Sequence, residues 1–200
     1  MFILPNSPRR SNVGLAWGCF VLLFNCFFMM TLVFISMAVF LVYTIGVCIA
    51  FRCIPYSISD TFYKLKEKWD LGGLFTIFCW CVGFSLLPYL LEHEDACPQI
   101  IRFLAVVGLI LVGAAPYFKG WDRTAHIVGA SMCIVCSQVW AFTVCWWIPL
   151  MYWIAWIAGT AIYMGRHQTG ILERTFVKAK PMFWIEIAAF ASVFTTIFVS

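Results

Sequence analysis

The sequence predicts an all-α, polytopic transmembrane helical bundle with six spans, or seven if the first apolar run doubles back. Of the 200 residues, 64% are hydrophobic and only 11% are charged. A soluble domain averages about half apolar and about a quarter charged residues. The mean hydropathy is +0.94. Several apolar runs also approach or exceed about 20 residues, the length that an α-helix needs to cross a bilayer.

This composition excludes several classes of protein. So much apolar surface cannot be covered in water, which excludes a soluble domain, a disordered chain and a disulfide-stapled secreted miniprotein. A nucleic-acid binder is excluded with them, and the formal net charge is only +4. Most of the ten cysteines lie inside apolar runs, where a thiol behaves as a small hydrophobic group. We therefore expect a lipid bilayer as the surroundings of the chain and no disulfide.

The first apolar run, residues 15–51, contains no charge and is too long for one upright span. A hairpin turn within it has no signal, because no Gly or Pro falls between Gly18 and Gly46. We expect one long or kinked helix over about 24–50 that acts as a signal anchor. Its earlier part would lie along the membrane interface.

The other spans follow at the later apolar runs. The connections at 92–99 and 119–124 are too short to hold a soluble domain. Residues 1–200 are therefore expected to form a single integral membrane domain. The predicted spans lie at approximately 24–50, 71–91, 100–118, 125–145, 148–164 and 181–199.

The distribution of basic residues predicts the orientation of the chain. Ten Lys and Arg residues lie in the first, third and fifth connections, whereas the other connections and the C-terminal segment hold only Arg102. Because cytoplasmic loops carry an excess of Lys and Arg, we expect the odd-numbered connections to be cytoplasmic. Arg9 and Arg10 fit this rule only with seven spans. The opposite side carries an acidic cluster at Glu92, Glu94 and Asp95. This cluster is interpreted as a solvated loop, with a cation-recruiting vestibule as the alternative.

The connection at 58–69 predicts an interfacial amphipathic helix, which Ser59 or Asp60 would cap. Residues at i, i+4, i+7 and i+11 share one apolar stripe. These residues are Ile58, Phe62, Leu65 and Trp69. A helix of this kind lies in the headgroup layer with its basic residues toward anionic lipid. The basic residues are Lys64, Lys66 and Lys68. The functional alternative is a gate or a lipid-presenting element over a cytoplasmic cavity.

Two ionisable residues fall near the ends of spans, His126 and Glu186, and ionisable groups inside a membrane indicate function. Asp122 lies one turn before His126 and points the same way. The stripe continues along the fourth span through small or weakly polar residues. They are Gly129 or Ala130, then Cys133, Ser137 and Trp140. Two interpretations stay open: close helix packing through small residues, or a water-lined cavity with Glu186 as the buried partner of His126.

The cavity interpretation gives a candidate hydrolytic site. Asp122, His126 and Glu186 are the candidate metal ligands, because zinc takes His nitrogen and carboxylate oxygen. A zinc-bound water could then attack an ester or amide. Asp60 and His167 are expected on the same side of the membrane as these residues. The candidate catalytic residues are Ser57, Ser59, Asp122, His126 and Glu186.

Two further patterns have mainly structural interpretations. Ala155 and Gly159 form a small-xxx-small pair, which lets another helix approach closely and predicts either core packing or a homo-oligomer. Cys133 and Cys136 have redox-motif spacing, but they lie inside an apolar helix, where a thiol is inert.

Two segments carry a resemblance to known families: 55–65 (PYSISDTFYKL) and 112–119 (VGAAPYFK). In these motifs the chain resembles a group of small uncharacterised bacterial multi-pass proteins, over about residues 30–199. That resemblance implies the bacterial inner membrane and no assigned activity. The chain is also similar to the seven-span CREST membrane hydrolases, such as the alkaline ceramidases. This similarity would give the metal-site roles to Ser57 or Ser59, Asp122 and His126, although the paired late histidines of that superfamily are absent.

The sequence as a whole favours a non-enzymatic membrane component without a cofactor, either a small transporter-like bundle or a scaffold. The alternative is a membrane-embedded, zinc-dependent hydrolase that acts on lipid amides or esters at the cytoplasmic face.

Overall fold

The computed structural model describes residues 12–92, 97–167 and 172–200. Arg9, Arg10, Glu94 and Asp95 lie outside these ranges. All regular structure within them is helical, with one short 3-10 turn at Ala115–Tyr117. The α-helices are α1 (Asn12–Phe51), α2 (Thr61–Trp69), α3 (Gly73–Glu92), α4 (Gln99–Ala114), α5 (Asp122–Cys145), α6 (Trp147–Arg166), α7 (Leu172–Lys178) and α8 (Pro181–Val199).

Six stretches of helix in the described part of the chain are long and apolar enough to cross a membrane. They are Leu23–Phe51, Gly73–Glu92, Gln99–Tyr117, Asp122–Cys145, Trp147–Arg166 and Pro181–Val199. The prediction of an all-α bundle with about six spans is therefore confirmed. The chain is a multi-pass membrane protein.

The first helix explains why the described part of the chain has six such helices and not seven. α1 runs for 40 residues without interruption, which is about 60 Å at 1.5 Å per residue. The hydrocarbon core of a bilayer is about 30 Å thick, so an upright α1 would extend well beyond it. The described chain nevertheless makes no turn between Asn12 and Phe51. The absence of Gly and Pro in the middle of this run was the signal that favoured a continuous helix.

The spanning helices pack into one bundle. α3 packs between α1 and α4, α5 packs on α4, and α8 packs on both α5 and α6. One end of the bundle collects most of the described basic residues, and we call it the basic end. Its basic residues are Arg52, Lys64, Lys66, Lys68, Lys119, Arg123, Arg166, Lys178 and Lys180. The assignment of this end to the cytoplasm stays a prediction.

Phenylalanine side chains form the packing contact between α1 and α8. The ring centroid of Phe40 lies 4.6 Å from that of Phe190 and 6.0 Å from that of Phe194. On the other side, the hydroxyl of Ser36 donates a hydrogen bond to the carbonyl oxygen of Val82 in α3, at 3.3 Å. α1 therefore joins α3 and α8, and these helices surround an interior together with α4 and α5.

Glycines allow α4 and α5 to cross with their backbones nearly in contact. A Cβ atom added at Gly108 would lie 2.5 Å from the backbone nitrogen of Cys133 and 2.7 Å from the carbonyl oxygen of Gly129. A Cβ atom at Gly129 would lie 2.9 Å from the carbonyl oxygen of Gly108. Neither position can hold a larger residue unless the helices separate. Gly129 belongs to the stripe of small or weakly polar residues along the fourth span, which is α5. At this position the stripe serves close helix packing.

α2 lies against the basic end of the bundle. Its predicted apolar stripe is largely buried by protein, because Ile58, Phe62 and Leu65 are buried while Trp69 is exposed. The ring of Phe62 meets Phe75 and Tyr117 edge-on, with centroids 6.4 and 6.0 Å apart. The stripe therefore packs mainly on the spanning helices instead of pointing into the headgroup layer.

The capping prediction for α2 is wrong. Asp60 precedes the helix without a side-chain capping bond, and its carboxylate pairs with Lys64 at 2.9 Å. The hydroxyl of Ser57 instead accepts a hydrogen bond from the backbone N–H of Asp60, at 3.0 Å. The chain makes helical turns over 58–60 before α2 begins, so the capping oxygen comes from a residue earlier in the sequence.

Candidate functional site

Glu186 is a carboxylate inside a spanning helix, and its depth follows from where α8 begins. It lies five residues after Pro181, the first residue of α8, which is about 7.5 Å along the helix axis. Its Oε2 accepts a hydrogen bond from the backbone N–H of Ile58 at 2.5 Å, and its Oε1 a longer one from the hydroxyl of Ser59 at 3.4 Å. Within the described ranges, no Lys, Arg or His forms an ion pair with this carboxylate.

The partners of Glu186 come from the turn that joins α1 to α2. The backbone N–H of Phe183, in the first turn of α8, donates to the carbonyl oxygen of Tyr56 at 3.0 Å. The hydroxyl oxygens of Ser57 and Ser59 are also 3.0 Å apart. This turn is therefore held against the start of α8 by backbone bonding as well as by the carboxylate.

Thr61 fixes the same turn to α1. Its hydroxyl lies 2.6 Å from that of Tyr43 and donates to the carbonyl oxygen of Ile58 at 2.5 Å. Thr61 is fully buried. Ile58 is thus held on both sides, because its carbonyl oxygen accepts from Thr61 and its N–H donates to Glu186.

A cavity of about 50 Å³ lies beside Glu186, and we call it the basic-end cavity. Ser59, His126, Cys133 and Glu186 contribute to its lining, among aromatic and aliphatic side chains. A cavity needs roughly 10–15 Å³ to hold one water and also needs polar partners for it. The basic-end cavity meets both conditions.

A second cavity of about 70 Å³, the inner cavity, extends toward the opposite end of the bundle. Leu86, Leu90 and Val193 line it, and its walls are almost entirely apolar. The two cavities share five lining residues: Leu109, Cys133, Ile134, Glu186 and Phe190. Glu186 therefore lies where the two cavities meet.

The structure brings some of the predicted site residues together and separates others. Ser59, His126 and Glu186 line the basic-end cavity. Ser57 is buried in the turn beside it and serves as a hydrogen-bond acceptor for α2. His167 is exposed at the end of α6, with its ring stacked on Tyr163 at 4.3 Å.

Asp122 does not line either of these cavities. Its carboxylate accepts a long hydrogen bond from the hydroxyl of Tyr63 in α2, at 3.4 Å. Partial desolvation, then the negative charge of Asp122 and this hydrogen bond, raise the pKa of Tyr63 above its ordinary value. Asp122 thus contacts α2 at the surface, although it shares a helix face with His126.

The structure does not bring the predicted metal ligands Asp122, His126 and Glu186 together into one site. Over residues 12–92, 97–167 and 172–200, no three side chains of His, Cys, Asp or Glu lie close enough together to hold a metal ion. His126 and Glu186 line one cavity without forming such a group with Asp122.

The remaining members of the α5 stripe divide between the two interpretations. Ala130 and Cys133 line the basic-end cavity, and Ser137 lines the inner cavity. Gly129 packs against Gly108 of α4. One stripe therefore serves both close packing and the cavity walls.

Gln138 is a buried polar residue that sequence reasoning did not select. Its amide N–H donates to the carbonyl oxygen of Ala189 at 3.2 Å. Its carbonyl oxygen accepts from the indole of Trp153 at 3.0 Å and from the hydroxyl of Ser192 at 2.9 Å. Gln138 thus joins α5, α6 and α8. An amide inside an apolar run was the signal that could have identified it.

The lysines of α2 lie close to aromatic rings. The ammonium of Lys68 is 4.3 Å from the ring centroid of Trp69 and 5.8 Å from that of Phe51. The ammonium of Lys66 is 5.9 Å from the ring centroid of Phe62. Recruitment of anionic lipid by Lys64, Lys66 and Lys68 stays a prediction.

Comparison with known protein families, with curated protein sequences and with solved structures finds no match to this chain.

Proposed function

We propose that the protein is a non-enzymatic, transporter-like membrane component in which Glu186 is the ionisable group of a small-ion pathway. The observation that carries this proposal is that Glu186 lines both cavities of the bundle. We also propose a bacterial inner-membrane location, with the basic end in the cytoplasm, as the charge asymmetry and the family resemblance imply.

The surroundings of Glu186 support a role in ion movement. Carboxylates within spanning helices are rare, and they commonly mark ion pathways and proton relays. The hydrogen-bond partners of Glu186 are a peptide N–H and a hydroxyl, both of them neutral. Among the described residues no cationic side chain pairs with this carboxyl group, so in the proposed pathway a proton or a small cation supplies the balancing charge.

The size of the cavities narrows the class of solute. Pockets for organic ligands typically enclose about 300–1,000 Å³, whereas the two cavities enclose about 50 and 70 Å³. Water, a proton carried on water, or a small cation fits this volume. We therefore propose a proton or a monovalent cation as the transported species.

The two cavities differ in polarity, which supports a gated pathway. Ser59 and His126 supply polar groups on the basic-end side of Glu186. On the other side, Leu86, Leu90 and Val193 form an apolar section, and hydrophobic constrictions close pathways by excluding water. In this proposal the described conformation gives Glu186 access to water from the basic end only.

The test is ion flux into proteoliposomes that contain a pH-sensitive dye and are polarised with a potassium gradient and valinomycin. The wild-type chain is expected to admit protons, and Glu186→Gln to lower the flux at least about tenfold, because the variant has no group that ionises. Asp122→Asn is the matched control, since it removes a carboxylate that lines neither cavity.

Vesicles prepared without valinomycin, which itself carries potassium, are then tested with sodium and potassium gradients. Loss of flux in Glu186→Gln with retention in Asp122→Asn supports the proposal. If no flux of any of the three cations depends on Glu186, the proposal is wrong.

A second candidate is the membrane-embedded, metal-dependent hydrolase of lipid amides or esters. The observation that favours it is that Ser59, His126 and Glu186 line one cavity. In that case the purified protein would contain stoichiometric zinc, and His126→Ala and Glu186→Ala would lose it. Protein purified without chelators that holds no zinc would exclude a zinc enzyme.

A further inference from the structure

A third hollow lies on the outside of the bundle, between α6 and α8. This α6–α8 groove has a volume of about 370 Å³, which is within the range of about 300–1,000 Å³ typical of small-molecule pockets. None of the residues that line it lines the two central cavities. Its walls include Tyr152, Ala155, Trp156, Gly159, Tyr163 and Trp184.

Small residues of α6 create this groove. Ala155 and Gly159 are both exposed, and a Cβ atom added at Gly159 would have no atom within 4 Å. The small-xxx-small pair therefore does not serve close packing of α6 within this chain. It leaves open space that is bounded by aromatic rings.

The aromatic walls present mainly carbon to the groove. The hydroxyl of Tyr152 is paired with that of Thr195 at 2.8 Å, and the indole N–H of Trp156 donates to the carbonyl oxygen of Pro181 at 3.1 Å. Because these polar groups are bonded within the protein, the groove suits an apolar occupant.

Three basic residues are close in sequence to residues that line the groove at the basic end of the bundle. Ala179 lines the groove, and Lys178 and Lys180 are its neighbours in the chain. Arg166 follows Tyr163, another lining residue, by one helical turn. The groove is thus lined mainly by apolar side chains, and basic residues adjoin its lining residues in the chain at the basic end.

We propose that the α6–α8 groove binds an acyl chain of an anionic phospholipid, whose phosphate pairs with Arg166, Lys178 and Lys180. An apolar slot with basic residues next to its lining residues in the chain matches both parts of that lipid, and basic residues near a membrane surface attract anionic headgroups. This inference does not depend on the role of Glu186.

The test is native mass spectrometry of the detergent-solubilised full chain, titrated with phosphatidylglycerol or with phosphatidylcholine. Gly159→Leu places a side chain in the groove, and the expected result is about tenfold weaker binding of phosphatidylglycerol. Gly165→Leu is the matched control, because Gly165 is also an exposed glycine of α6 with no atom within 4 Å of an added Cβ. Leucine is a better helix former than glycine, so both variants should fold.

A second variant tests the basic residues. Arg166→Gln combined with Lys178→Gln should lower the preference for phosphatidylglycerol over phosphatidylcholine by about fivefold per charge removed. Lys64, Lys66 and Lys68 are unchanged in all variants, so the difference between Gly159→Leu and Gly165→Leu reports on the groove.

Three outcomes would overturn the proposal. One is equal binding of phosphatidylglycerol by Gly159→Leu and Gly165→Leu. Another is equal affinity of the wild-type chain for the two lipids. The third is conversion of a homodimer to a monomer by Gly159→Leu with an unchanged number of bound lipids, which would identify a second copy of the chain as the occupant.

Discussion

The carboxylate of Glu186 accepts a hydrogen bond from the backbone N–H of Ile58 at 2.5 Å, across a separation of 128 residues. This bond joins the last spanning helix to the turn between α1 and α2. The hydrogen bond gives Glu186 a structural role in addition to its position in the lining of both cavities. Substitutions can separate the two roles, because an amide keeps the acceptor and loses the charge.

Glu186→Ala should destabilise the bundle, and Glu186→Gln should not. The alanine variant leaves the buried N–H of Ile58 without its acceptor, which is expected to lower the free energy of unfolding by about 1–3 kcal/mol. The glutamine carbonyl can still accept that bond. Unfolding in mixed micelles measures both values, and equal stability of the two variants would show that the bond to Ile58 contributes nothing.

Gly108→Ala should force α4 and α5 apart. The added Cβ would lie 2.5 Å from a backbone nitrogen and 2.7 Å from a backbone oxygen of α5, and neither can move alone. We expect a loss of about 1–3 kcal/mol in the free energy of unfolding, as for other overpacked interiors. Gly46→Ala is the control, because its Cβ would meet no atom within 4 Å. A Gly108→Ala protein as stable as the control would contradict the close crossing.

Gln138→Leu should weaken the association of α5 with α6 and α8. Hydrogen bonds between helices in membranes average about 0.6 kcal/mol, so the three bonds of Gln138 together predict a loss of about 2 kcal/mol. Adding Ser192→Ala to this variant should change stability less than it does in the wild-type background. Strict additivity of the two substitutions would argue against their hydrogen bond.

Asp122→Asn should lower the pKa of Tyr63. Desolvation is the largest cause of the raised pKa of Tyr63. The negative charge of Asp122 and the hydrogen bond between the two side chains raise this pKa further. The variant removes the charge and weakens that bond, so Tyr63 should ionise at a lower pH than in the wild type, although still above the ordinary tyrosine value. Ultraviolet titration of tyrosinate, with Tyr63→Phe to identify the signal, measures the shift. An unchanged titration would show that Asp122 does not interact with Tyr63.

Much of the fold could be predicted because it depends on one-dimensional properties. Apolar length gives the spanning helices, and the continuity of α1 follows from the lack of Gly and Pro across its centre. The depth of Glu186 follows from its distance along the chain from Pro181. Placing it at the same end as His126 required only the alternation of the spans.

The site itself depends on rotations and contacts that helical periodicity does not specify. Asp122 and His126 share a face of α5, but α2 docks near the start of that helix and brings Tyr63 to Asp122. The bond from Ile58 to Glu186 uses a backbone N–H, which leaves no trace in the choice of side chains. The crossing at Gly108 and Gly129 depends on a pair of residues, each of which has several interpretations by itself.

The proposed pathway requires Glu186 to exchange protons with water inside the folded bundle. Infrared difference spectroscopy of the reconstituted protein follows carboxyl bands as the pH changes and as H2O is replaced by D2O. A band that titrates and shifts in D2O, present in the wild type and in Asp122→Asn but lost in Glu186→Gln, is the predicted result. Identical carboxyl spectra for the wild type and Glu186→Gln at every pH would contradict the proposal.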